Sequence, residues 1–172
     1  MSTVIRNATT DDLQYIVAIY NDIIKNTFAV WSEKTVDIDN RRVWMENRQE
    51  AGYPILVAIL NSEVIGYGSF GPFSSSIHDT FTNHGLRHTV ELTVHIDRNH
   101  RRKGIGRALV QALIDEAKKQ PNIHVLVAGI AAVNTASISL FESFGFKIVA
   151  KMPETGLKHG KWLDDVLMQK IL

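Results

Sequence analysis

The chain has 172 residues, 45% of them apolar and 22% charged, with a formal net charge of +1 and no cysteine. That length suits one domain with a real core, and the near-zero charge gives no electrostatic case for nucleic acid or a membrane surface as partner. The missing cysteine removes disulfides, thiolate metal sites and a cysteine nucleophile together and fits a reducing compartment, so one cytoplasmic domain over 1–172 is expected. The first residues, Met1 to Asn7, carry no apolar stretch of the secretory kind, and no apolar run is long enough to cross a bilayer. No repeat or low-complexity tract divides the sequence.

In chain order, residues 3–6 read as a short strand. Thr9 and Thr10, followed by Asp11 and Asp12, supply an N-cap and an acidic first turn. Leu13, Ile16, Val17, Tyr20, Ile23 and Ile24 then recur at helical spacing. A second helix is predicted over 39–51, closed by Gly52 and followed by Pro54. Residues 55–60 and 64–70 read as two strands of a hairpin around Asn61-Ser62-Glu63. Residues 72–86, with three consecutive serines at 74–76, read as a long surface loop. A strand over 89–96 follows. The helix over 104–120 carries the stripe Ile105, Ala108, Leu109, Ala112 and Leu113 and is stopped by Pro121. A strand over 123–130, a helix over 135–144 and strands over 146–151 and 162–171 complete the chain. The order β-α-α-β-β-β-α-β-α-β-β predicts an α/β protein, a mixed sheet with helices on both faces.

The densest chemical signal is the turn from the strand at 89–96 into the helix after it. Gly104 and Gly106 let backbone N–H groups approach an anion, and the helix N-terminus adds its dipole. Arg101, Arg102, Lys103 and Arg107 surround that turn with positive charge, as a pyrophosphate requires. A dinucleotide fingerprint needs a third glycine where Leu109 stands, and a P-loop needs Gly-Lys where the order is Lys103-Gly104. On these residues alone, a basic surface turn with glycines for helix entry stays open beside a phosphate site. The seven histidines show no metal-ligand spacing, and the serines lack a nucleophile elbow, so neither a metal nor a serine nucleophile is expected.

Arg101-Arg102-Lys103-Gly104-Ile105-Gly106 fits the R/Q-x-x-G-x-G/A signature with which GNAT acetyltransferases bind the pyrophosphate of coenzyme A. Further segments run in the same order: Ile19-Tyr20-Asn21-Asp22, Ala29-Val30-Trp31, Gly52-Tyr53-Pro54, Gly66-Tyr67-Gly68, Arg87-His88-Thr89-Val90-Glu91, Asn134-Thr135-Ala136-Ser137 and His159-Gly160-Lys161-Trp162-Leu163-Asp164. Over nearly its whole length the chain resembles the phosphinothricin and methionine sulfone/sulfoximine N-acetyltransferase branch of that superfamily. The resemblance implies the GNAT fold, a mixed and largely antiparallel sheet with a splayed cleft for acetyl-CoA. It also implies a small-molecule amine as acceptor and a homodimer.

Site roles follow from that resemblance. Val94 and Ile96, with His95 between them, would offer free backbone groups to the pantetheine arm. Arg101, Arg102, Lys103, Gly104, Ile105, Gly106 and Arg107 would hold the pyrophosphate, and Asn134 would bond the pantetheine. Asn134 suits the N-cap of the following helix equally well. Glu91, a carboxylate in an otherwise apolar strand, is the candidate base that takes a proton from the amine. An outward-facing glutamate is the plain alternative. Trp31, Arg87, Leu92 and Thr93 join Glu91 as candidate substrate contacts, Arg87 as the partner of a substrate carboxylate.

Two departures from the branch stand out. Phe141 occupies the position of a proton-donating tyrosine or histidine, and residues 72–86 form a longer segment without the arginine found there in relatives. The resemblance makes an amino-acid acceptor the leading expectation. A protein N-terminus, a lysine or a polyamine is the second, and a non-catalytic acyl-CoA-binding domain the third.

Overall fold

The computed structural model describes residues 3–73 and 84–172. Strand β1 (Val4–Asn7) leads into a 3-10 turn (Thr10–Asp12) and helix α1 (Leu13–Asn26). The entry is fixed by Asp12, whose carboxylate accepts from Thr9 N–H at 2.7 Å and from both terminal nitrogens of Arg6 at 2.7 and 2.9 Å. Asn21 bonds the backbone of Val36 with both its amide groups, at 2.8 and 2.9 Å, and so folds the connection back along α1. Helix α2 (Ile38–Glu50) starts at Asp37, whose side chain accepts from Asn40 N–H.

Strands β2 (Ile55–Leu60) and β3 (Glu63–Pro72) form the predicted hairpin. Its two turn residues, Asn61 and Ser62, both have positive φ, as a primed two-residue turn demands. Then come a 3-10 turn (His84–His88), β4 (Thr89–Ile96), α3 (Ile105–Lys118), β5 (Val125–Ala131), α4 (Thr135–Glu142), β6 (Lys147–Lys158) and β7 (Lys161–Ile171). The element order matches the sequence reading. The seven strands form one sheet in the order β1-β2-β3-β4-β5-β7-β6, antiparallel at every pairing except β4–β5.

Alternation sorts the side chains onto two faces. Val90, Leu92, Leu126, Ala128, Ile130, Val166 and Met168 join Leu109, Val110 and Leu113 of α3 in one buried cluster. Ile55, Val57 and Tyr67 pack with Ile16, Ile19 and Ile23 of α1 and Met45 of α2 in another. The interposed residues of β4, β5 and β7, among them Glu91, Gly129 and Asp165, therefore share the α1/α2 face.

Most boundaries shift by one or two residues, and two regions differ further. The strand expected at 146–151 runs on to Lys158, because the Pro153–Gly156 break is absorbed as an irregularity in the β6–β7 register, with Glu154 at φ +50° and its N–H donating to Asp164 at 2.9 Å. The loop expected at 72–86 is narrower at both ends, since Pro72 closes β3 and His84–His88 forms a 3-10 turn. Residues 74–83 lie outside the described residues.

Candidate active site

The parallel ladder between β4 and β5 is short. Thr89, Val90 and Glu91 pair with Val125, Leu126 and Val127, and there the pairing stops although both strands continue. The backbone alternation of β4 can be read from its bonds. His88 O accepts from His124 N–H on the β5 side, whereas Thr89 O accepts from Phe73 N–H and Asp97 N–H donates to Ile65 O on the β3 side. The even-numbered residues thus turn toward β5, and past Glu91 that direction opens into a cleft. Ile96 O accepts from Arg101 Nε at 3.3 Å there.

The cleft has a volume of about 720 Å³ and is lined by Val94, His95, Ile96, Arg101, Arg102, Gly104, Gly106, Arg107 and Asn134, with Thr27 and Phe28 on the α1 side and Leu140 and Phe141 on the α4 side. Its floor is the turn into α3. Arg102 at φ +61° and Gly104 at φ +82° bend the chain so that amides face inward at the helix N-terminus, where the first N–H groups lack intrahelical partners. This donor set fits an anionic diphosphate, and the free edge of β4 fits an extended amide-bearing arm.

Not every basic side chain follows the expectation. Arg101, Arg102 and Arg107 line the cleft, but Lys103 turns back to bond Asn99 O at 3.0 Å. Arg107 leans on α4, donating to Ser143 Oγ at 3.0 Å with its guanidinium over the Phe144 ring. Ile105 is buried in the core, so only its backbone can face an anion. Asn134 serves as N-cap of α4, its Oδ1 accepting from Ser137 N–H at 3.2 Å, and also lines the cleft. Phe141 is buried and packs edge-on against Phe146, with no polar atom to offer.

Glu91 stands at the root of the splay, opposite Gly71 on β3 and Val127 on β5. Burial first, and then the neighbouring Asp165, push its carboxyl above the usual glutamate range, while Arg48 and a bond from Gly129 N–H pull the other way. Arg48 reaches from α2 and fills the space that a Cβ at Gly71 would need. Its Nη1 is buried without a hydrogen-bond partner. His95, on the same face, is buried between the Tyr20 and Tyr67 rings, and burial lowers its pKa to about 4, so the ring is neutral.

The remaining substrate candidates are dispersed. Thr93 is exposed on β4, whereas Leu92 faces the α3 core and offers the site only backbone. Arg87 lies exposed in the 3-10 turn before β4. Trp31 lies against Gly156 of β6, 41% exposed, held by a tie between Lys158 Nζ and Val30 O at 2.6 Å. Sequence reading missed Arg48 and Asp165. Asp165 carried a usable signal, a second carboxylate in an apolar strand. Arg48 carried none, because it stands in a polar helix and only the packing of α2 over Gly71 brings it to Glu91. Among the described residues no group of three or more histidine or acidic side chains is placed to hold a metal.

Residues 5–167 match the acetyltransferase (GNAT) domain. The chain is 46% identical to the L-methionine sulfoximine/L-methionine sulfone acetyltransferase of Salmonella typhimurium over 165 residues, 96% of this chain and 92% of that one. Among solved structures it superposes with a TM-score of 0.92 on a Salmonella typhimurium protein solved with its cofactor acetyl-CoA, at 45% identity over 100% of this chain and 95% of the other. It superposes with a TM-score of 0.91 on a ribosomal-protein-alanine N-acetyltransferase of Brucella melitensis, at 47% identity over 98% and 99%.

Proposed function

The chain belongs to the GNAT acetyltransferase family, and from that membership we propose that it moves the acetyl group of acetyl-CoA onto the α-amino group of a free amino acid of the methionine sulfone, methionine sulfoximine or phosphinothricin type. The observation that carries this reading is the splay of β4 from β5: their pairing ends at Glu91, and beyond it Val94 and Ile96 line a cleft that also holds the anion cradle.

The amides of the turn at Arg102 and Gly104, with Arg101 and Arg102 beside them, receive the pyrophosphate. Val94 and Ile96 pair with the pantetheine arm, with Asn134 opposite, so the thioester lies near Glu91. The acceptor arrives as an ammonium, which has no lone pair. Glu91 takes one proton, directly or through a water, and the freed nitrogen adds to the thioester carbonyl carbon. The developing oxyanion is met by Val94 N–H. The C–S bond then breaks, coenzyme A leaves as a thiolate, and the amide nitrogen loses its second proton to solvent. No side-chain acid at 141 is needed, because the thiolate is a stable leaving group. Arg48, rather than a residue of the long loop, offers the guanidinium for the substrate carboxylate.

The same reading takes residues 1–172 as one cytoplasmic catalytic domain that uses no metal and forms a homodimer. Exposed Val149, Leu157 and Trp162 of the β6–β7 hairpin supply an apolar surface for the second copy.

The resemblance to a ribosomal-protein-alanine N-acetyltransferase favours a protein N-terminus as the second reading. Thiol release from acetyl-CoA, measured against amino acids, methionine derivatives, phosphinothricin, polyamines and alanine-starting peptides, separates the two. Turnover confined to free amino acids supports the proposal, turnover confined to peptides replaces it with the second reading, and coenzyme binding without turnover on any acceptor would leave only a binding domain.

A further inference from the structure

The α1/α2 face of the sheet carries a line of charge that the acetyl-transfer reading uses only in part. From β3 to β7 it runs through Arg48 over Gly71, then Glu91, then Gly129, then Asp165. Asp165 is 8% exposed, and its Oδ1 is buried with no hydrogen-bond partner. Burial raises its pKa, opposed only by the Val166 N–H. Arg48, the cation that acts on Glu91, lies over Gly71 on the β3 side.

A buried carboxylate without a counter-ion is costly unless something arrives to meet it. The gap at Gly129 shows where that would be. A Cβ at this position would sit 3.3 Å from Glu91 Oε1 and 3.7 Å from Asp165 Oδ2, so the missing side chain lets both carboxylates converge on one spot. Two acids converging over the exposed Gly129 suit a compact cation carrying several N–H donors, and the acceptor ammonium is such a group.

We propose that Asp165 is the second carboxylate of the acceptor site, holding the substrate's ammonium together with Glu91 across Gly129. This inference rests on the acetyl-transfer reading and adds a residue to it. Asp165 keeps one oxygen on the ammonium while Glu91 takes the proton. Once the nitrogen has become an amide it is neutral, and the pair no longer holds it, so the product leaves. Among the described residues, the groups that act on Glu91 besides Asp165 are Arg48 from α2, with Arg41 and Tyr53 beside that guanidinium, and Gly129 N–H from β5. Of these, only Asp165 repels the Glu91 anion.

The test uses Asp165→Asn and Asp165→Leu beside Glu91→Gln, with L-methionine sulfone as acceptor. Both Asp165 variants are expected to raise the acceptor KM roughly tenfold or more while leaving the acetyl-CoA KM unchanged. They should also move the acidic limb of kcat/KM to lower pH, since removing the like charge makes Glu91 easier to ionise. Their Tm should hold or rise, because an unpaired buried charge is gone. Loss of turnover in Glu91→Gln with an unaltered acceptor KM and acidic limb in both Asp165 variants would overturn the role of Asp165 and leave the base in place. Should wild-type protein release no thiol, the acetyl-transfer reading fails first. Calorimetry of L-methionine sulfone binding then decides the inference, which falls if Asp165→Asn binds as wild type does.

Discussion

At Glu91 burial opposes the anion, and Asp165 adds to that opposition, so the carboxyl titrates above the range of a solvated glutamate. A base works deprotonated, so activity should fall as pH drops through that raised value. The acidic limb of kcat/KM is expected above the ordinary glutamate value of about 4.3. Glu91→Gln should cut kcat roughly 100-fold with the acetyl-CoA KM unchanged. A flat comparison of the two proteins across pH would remove Glu91 from the reaction. Asp12 shows the opposite behaviour. Burial would raise it, but the bonds from Arg6 and Thr9 outweigh that and hold its carboxyl below the usual range. A depressed folded pKa contributes stability above the unfolded value that is lost as pH falls through the folded one. Asp12→Ala should therefore cost about 2 kcal/mol at neutral pH, with a shrinking difference in acid, read by denaturant melts.

The strand–turn–helix of β4 and α3 shows what an element adds to its residues. Gly104 has φ +82°, and nothing lies within 4 Å of where a Cβ would stand, so a side chain there meets strain rather than a clash. Gly104→Val should cost about 1–2 kcal/mol of backbone strain and turn the first amides of α3 away from the cleft, raising the acetyl-CoA KM far more than the acceptor KM. Gly129→Ala divides the effects the other way. Its Cβ would press on the Glu91 carboxylate from an unstrained strand, so the coenzyme should still bind while acceptor turnover falls; a kinetic assay that varies each substrate in turn checks both. The turn residues, their charges and the strand that carries Glu91 were legible in the sequence, because glycine spacing and an acid in an apolar strand are local signals. The direction taken by Lys103, and the second anchor of the cleft-lining Arg107, were not. Each chose a nearby acceptor, Asn99 O or Ser143 Oγ, that is a neighbour only after the turn has folded.

At the scale of the molecule, the long β6–β7 hairpin closes the sheet and reaches back to the α1–α2 connection. Lys158, with no exposed surface, bonds Val30 O, and His159 meets Glu33 beside it. That tie fixes Trp31 against Gly156. The outer residues Val149, Leu157 and Trp162 remain exposed, and Trp162, at 61%, is the largest of them. If a second copy covers this surface, Trp162→Glu should convert a dimer into a monomer in sedimentation with little change in the monomer's Tm; sedimentation unchanged from wild type would exclude the hairpin as the interface.

The sequence by itself determined the order of elements and the hairpin turn at Asn61 and Ser62, and it singled out the basic glycine turn at 104–106 and the carboxylate at 91 as candidates. These depend on periodicity, on positive-φ turn residues and on composition within a few positions. Tertiary structure alone decided that β6 would run past Pro153 to Lys158, that Leu92 and Ile105 would face the core, and that Arg48 and Asp165 would flank Glu91. Their separations along the chain are long, and the contact exists only because β3, β4, β5 and β7 lie side by side with glycines at 71 and 129 leaving room between them.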